Sequence, residues 1–155
     1  MRRMVAVALM ALVAAACGSA AGGSSPARFA GYKWSVVAIR HDGRETPVPA
    51  RYNVYLQFAP NGQYGANDPV NYHLGTYRLT GDGFATGHVA TTLAGYAGED
   101  PVTLLAMAAI SSLDADTSAT VLNLGAATIA IAVNEYTLTC QRAGEQANFP
   151  PAART

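Results

Sequence analysis

A mostly β (α+β) domain, a small antiparallel curved sheet or barrel with one packed helix, is the fold class this sequence predicts. Three observations carry it. From residue 28 onward apolar side chains recur mainly with period two. The runs are separated by short turns rich in Gly, Asn, Asp and Pro. Only residues 101–113 place apolar side chains at helical spacing. With 155 residues, 50% of them hydrophobic, one compact domain is expected rather than a disordered chain.

In order, Trp34, Val36 and Ala38 alternate with Ser35, Val37 and Ile39 as a strand. Tyr52, Val54, Leu56 and Phe58 share one face of a second, opposite Asn53, Tyr55 and Gln57. Between them, residues 41–50 hold an Asp-Gly pair and two prolines and read as a loop. His41-Asp42-Gly43 is a fragment of catalytic letters, but turn chemistry accounts for it. Pro60-Asn61-Gly62 is a turn: proline presets the backbone, and Asn-Gly tolerates the left-handed region.

Residues 73–80 and 84–92 form a hairpin across Gly81-Asp82-Gly83. If Leu79 pairs with Phe84, then His73, Gly75, Tyr77 and Leu79 share a face with Phe84, Thr86, His88 and Ala90. His73 and His88 become diagonal neighbours. Two imidazoles can begin a metal site, but no third ligand stands at a usable spacing, so solvated or hydrogen-bonded histidines are expected, and no metal or other cofactor.

The helix over 101–113 begins with Pro at its first position and Asp100 as cap. Val102, Leu105, Ala106, Ala109, Ile110 and Leu113 form its apolar stripe. Leu104 and Met107 fall off that stripe and are expected to be buried as well. Residues 119–124, 128–133 and 136–142 then form a three-strand meander through Gly125-Ala126 and Asn134-Glu135. Residues 143–155, with two prolines and no apolar period, are expected to be a disordered tail.

The N-terminus carries an address. Met-Arg-Arg-Met precedes an unbroken apolar run to Ala16, the charged and hydrophobic regions of a secretory signal over residues 1–16. Twelve residues at ~1.5 Å each span about 18 Å, short of the roughly 30 Å of a bilayer core. Ala14-Ala15-Ala16-Cys17-Gly18-Ser19 then resembles a bacterial lipobox, which implies acylation of Cys17 as a membrane anchor. Ala14 stands where leucine is usual, so ordinary cleavage giving a secreted form is the alternative. Residues 17–27 have the small, flexible composition of a tether.

With Cys17 acylated, Cys140 has no partner within the chain and is expected as an inert core thiol. Ten basic and ten acidic residues balance, and loss of residues 1–16 leaves eight against ten. Such a balance speaks against a nucleic-acid partner.

Phe29-x-Gly31-x-x-Trp34, then Leu56-x-Phe58-x-x-Asn61-Gly62-x-x-Gly65-Ala66-Asn67, then Gly75-x-Tyr77 resemble the META domain, a family of HslJ-like bacterial lipoproteins. Thr91-Thr92 falls at that family's threonine motif, and Leu122-x-Leu124, Ile129-x-Ile131 and Leu138-x-Cys140 resemble its closing strands. The resemblance covers residues 28–142. Two cysteines common in the family are absent, with Ala66 in the Gly-x-Asn motif and Leu93-Ala94-Gly95 after the threonines, which marks a divergent member. It implies a β-rich, helix-closed envelope domain linked to stress tolerance, with no catalytic residue to carry over.

No serine-hydrolase, zinc-protease or phosphate-loop motif is present, so a non-enzyme is expected. A small barrel can carry an apolar ligand or lipid, and Tyr52, Tyr55, Tyr64, Tyr72, Tyr77 and Tyr96 could line its opening. The leading expectation is a lipid-anchored interaction or assembly module on the extracytoplasmic face, with an envelope protein or lipid as partner. Its contact surface is expected near residues 65–72 and 95–100.

Overall fold

The computed structural model describes residues 26–114 and 116–145. Cys17, the signal, residues 17–25 of the expected tether and residues 146–155 of the expected tail lie outside the described residues, whereas the last two tether positions open a 3-10 turn at Pro26–Phe29. The strands are β1 Tyr32–His41, β2 Arg44–Pro47, β3 Tyr55–Phe58, β4 Gln63–Asn67, β5 Tyr72–Leu79, β6 Gly83–Thr91, β7 Ser118–Leu124, β8 Thr128–Val133 and β9 Tyr136–Glu145. One helix, α1 Pro101–Ser111, joins β6 to β7. Neighbouring strands pair antiparallel in the order β2-β1-β3-β4-β5-β6-β7-β8-β9, and β1 pairs with β9 as well. All strands except β2 therefore close into an eight-stranded barrel.

β1 makes closure possible because it is long enough to serve three partners. One edge pairs with β3 over residues 32–35 and with β2 over residues 38–41. Its other edge runs along β9 from Tyr32↔Glu145 to Arg40↔Thr137. β9 thus continues three residues past the expected domain end, because β1 offers ladder partners there.

Several other expectations are corrected. The 41–50 loop contains β2: Asp42 and Gly43 both have positive φ, the turn that folds a strand tightly back on its neighbour. This edge strand is four residues long, mostly exposed and ends in proline, which discourages further pairing. In β1, a bulge between Val36 and Ala38 shifts the alternation, so Ile39 rather than Ala38 enters the core. Asn53, at φ 50°, ends a 3-10 turn at Ala50–Tyr52, so the second strand starts at Tyr55 although Val54, Leu56 and Phe58 are buried as expected.

The core is aromatic at its centre. Phe58 meets Phe29 at 4.7 Å, Phe84 at 4.8 Å and Tyr77 at 5.3 Å between ring centroids. Phe29 sits just before β1, and its carbonyl accepts the Trp34 indole N–H at 2.9 Å. Ala106, Ala109 and Ile110 of α1, with Leu113 beyond it, join the same cluster. Leu104, expected to be buried, is 48% exposed on the opposite side of the helix, and Met107 is half-buried.

Candidate functional site

The hairpin of β5 and β6 has the expected Leu79↔Phe84 pair, but its register shifts between Leu74 and Thr76. Gly75 sits opposite the extra residue. A side chain on it would lie 2.9 Å from the Gly87 carbonyl oxygen and from Val89. The bulge separates the two histidines expected to be neighbours. His73 pairs with Thr91 and is completely buried, whereas His88 takes φ 51° and is exposed.

His73 lies between two carboxylates. Its Nε2 is 3.0 Å from Asp68 Oδ2, and its Nδ1 is 2.8 Å from Asp114 Oδ1. Only an imidazolium donates from both nitrogens, so this geometry selects the charged ring. Burial, the largest single influence, pulls its pKa down, but the bonds and charges of Asp114 and Asp68 together raise it above the ordinary value. Asp68 Oδ1 accepts the backbone N–H groups of Val70 and Asn71, each at 2.6 Å, and the Thr91 hydroxyl donates to Asp114 Oδ2 at 3.1 Å.

The carboxylates occupy opposite ends of the ring, so the three groups satisfy one another instead of converging on a point. Among the described residues no His, Cys, Asp or Glu cluster is arranged to hold a metal ion. The chemistry available to this network is structural: it ties the β4–β5 connection, the start of β5 and the end of β6 to the segment following α1. The Thr86 hydroxyl adds a bond of 2.6 Å to the Leu113 carbonyl. Thr92 accepts the Tyr72 N–H at 2.9 Å, so both threonines of the Thr91-Thr92 pair serve this joint.

The other end of α1 is held as expected. Asp100 accepts the Thr103 backbone N–H at 2.8 Å and its hydroxyl at 2.7 Å, and the Tyr52 hydroxyl donates to it at 3.2 Å. The Thr103 contacts, hydroxyl first, hold the Asp100 carboxyl below its usual range.

Of the two connections expected to form a contact surface, the first is in part drawn inward. Gly65 and Ala66 are buried in β4, and Asp68 and Asn71 are buried below the turn, because the turn's polar side chains point inward to the network. The segment leading into α1 is open: Leu93 is 95% exposed. The tyrosines expected to ring an opening also divide. Tyr64 is fully buried, with its hydroxyl unpartnered among the described residues; burial, aided by the Asp114 charge, pushes its pKa well up. Tyr52, Tyr55, Tyr72, Tyr77 and Tyr96 are half-buried.

Cys140 is buried in β9, and desolvation pushes its thiol far above the ordinary range. His41 stacks on Tyr136 with centroids 4.7 Å apart. Sequence reasoning missed Asp68 and Asp114 as partners of His73, since Asp114 is 41 positions away.

Among the described residues, the surface also carries clefts. One, of about 300 Å³, is lined by Thr76, Arg78, His88 and Asp116 among others. The second, of about 380 Å³, is walled by Arg28, Tyr32, Trp34, Leu124, Arg142 and the β7–β8 turn. Among the described residues no helix is long and apolar enough to cross a membrane.

The chain matches the family model described as META domain over residues 27–145. It is similar to the NMR structure of a protein from Burkholderia xenovorans, with 17% identity and a TM-score of 0.58, covering 91% of this chain and 95% of that one. A second NMR structure has 16% identity and a TM-score of 0.53, covering 76% of this chain and 93% of that one. At such identities the likeness extends to the fold alone. No curated protein gives a significant match.

Proposed function

The chain belongs to the META domain family, and from that premise we propose that it is a non-catalytic interaction or assembly module, held on the extracytoplasmic face of the bacterial membrane by a lipid on Cys17. One observation carries the reading: the interior is used up by the protein's own side chains. Phe29, Phe58, Tyr64 and Phe84 are all inaccessible, and the buried histidine has both nitrogens engaged. Contacts with other molecules then fall to the exterior, where Leu93 on the segment before α1 is the most exposed large apolar side chain among the described residues. The alternative, a carrier of a small apolar ligand or lipid, needs interior space that these rings occupy.

Detergent phase partitioning and palmitate labelling of the wild-type chain and of Cys17→Ala in a bacterial host test the anchor. Wild type is expected to be labelled and membrane-bound, and C17A unlabelled and released. C17A remaining in the membrane fraction unchanged sinks the anchored reading. An unlabelled, released wild type selects the secreted alternative. Native mass spectrometry of the wild-type chain addresses the carrier: a stoichiometric apolar ligand without a phosphate group, lost on unfolding and distinct from the covalent anchor, would replace the module with a carrier.

A further inference from the structure

We propose that the cleft between Arg28 and Arg142 binds the phosphate of an anionic phospholipid headgroup. Both arginines border one concavity of about 380 Å³. Among the side chains the structure describes, which do not include that of Glu145, neither has an ion pair or a side-chain hydrogen bond, whereas Arg40 is paired with Glu45 at 3.3 Å and Arg51 bonds to Tyr52. Arg142 is nonetheless positioned, since its guanidinium lies over the Tyr32 ring at 4.7 Å from the centroid. A planar guanidinium fork held against a ring is the arrangement that recognises phosphate oxygens.

The surroundings favour a lipid over a free ion. Tyr32 and Leu124, both half-buried, give the cleft an apolar wall beside its two charges, matching a headgroup with glycerol and the start of acyl chains attached. Arg28 stands eleven residues after Cys17. Even fully extended, that length reaches only about 40 Å. The cleft is therefore the part of the domain that the tether leads into directly. Anionic headgroups attract arginines held near their surface. The choice of lipid as the source rests on the anchored reading above; the anion-binding chemistry does not.

Trp34, the only tryptophan, is buried at the border of the cleft, so its fluorescence reports occupancy through the change in its surroundings. The test is a titration of the chain as purified from membranes, in nonionic detergent micelles doped with phosphatidylglycerol or phosphatidylcholine, and separately with inorganic phosphate. Phosphatidylglycerol is expected to shift the Trp34 emission saturably, with the other two ineffective at the same concentration. Arg28→Gln and Arg142→Gln are each expected to raise the half-saturating concentration about tenfold, the loss of one charge-assisted contact. Arg78→Gln, outside the cleft, should leave it unchanged. Far-UV circular dichroism checks folding, and Arg142→Lys, which keeps the charge but loses the fork, should fall between.

An equal response to phosphatidylcholine, saturation by inorganic phosphate alone, or arginine variants that bind like wild type would each overturn the proposal. The intact mass reports the Cys17 modification separately. An unlipidated chain that still responds to phosphatidylglycerol overturns the anchor and keeps the cleft; a lipidated chain that does not respond overturns the cleft alone.

Discussion

Asp114 Oδ1 and His73 Nδ1 are 2.8 Å apart, which fastens the segment after α1 to the second residue of β5 across 41 positions of sequence. The contact holds because Asp68 draws on the opposite nitrogen and Thr91 donates to the same Asp114 carboxylate. Removing the imidazole leaves the buried Asp68 without its cationic partner. His73→Leu is expected to cost about 3–5 kcal/mol in a urea melt. A loss below about 1 kcal/mol would mean that the network adds little to stability.

The same ring gives stability a pH dependence of known sign. The folded pKa is raised above the unfolded value of about 6.5. The folded state therefore binds the proton more tightly, and the contribution is complete below about pH 6.5. It is lost as pH rises through the folded value. The urea midpoint of the wild type should fall over that rise relative to H73L; parallel curves would contradict a charged ring in the folded state.

Tyr64→Phe is expected to stabilise. The hydroxyl is fully buried and has no partner among the described residues, so it carries a desolvation cost of about 1–3 kcal/mol that phenylalanine lacks. A rise in the urea midpoint bears this out, and a fall of about 1 kcal/mol would show that the hydroxyl is hydrogen-bonded in solution.

Gly83 allows β6 to approach β7. A Cβ there would run into the carbonyl oxygen of Ala119, with Thr120 Cα 3.0 Å away, both backbone atoms that no rotamer change can move. Gly83→Ala should cost about 1–3 kcal/mol by overpacking. Hydrogen exchange should locate the loosening at the Gly83↔Thr120 and Phe84↔Ala119 pairs rather than across β1 and β9.

Cys140 should resist alkylation in the folded protein, since its thiol is inaccessible and its ionisation is suppressed by burial. Labelling by iodoacetamide is expected to be complete in denaturant and to track the unfolded fraction below the transition. Rapid labelling without unfolding would show an opening of β9.

The elements legible in the sequence were those fixed by local chemistry. The alternation in β8 and β9, the Pro60-Asn61-Gly62 turn and the Asp100 cap of α1 all stand where period and turn residues place them, whereas a bulge between Val121 and Asn123 breaks the alternation in β7 and leaves Leu122 exposed. What escaped was non-local. The bulge opposite Gly75 depends on the partner strand, and it alone turns His88 outward while His73 stays in. β4 was hidden because Gly65 and Ala66 have too little side chain to show an alternation. The carboxylates of the His73 network come from a turn and a post-helix segment, where an aspartate ordinarily signals solvent.

The β1–β9 seam has a consequence for how the chain acquires its shape. Tyr32 faces Glu145, so the first strand made waits for the last before the barrel has a continuous wall. While synthesis runs from the N-terminus, β1 has only β2 and β3 for company and keeps one long edge bare. Closure is thus a late, all-or-nothing event set by arrival of the final ten-residue strand, and the half-made chain is the form that needs shielding.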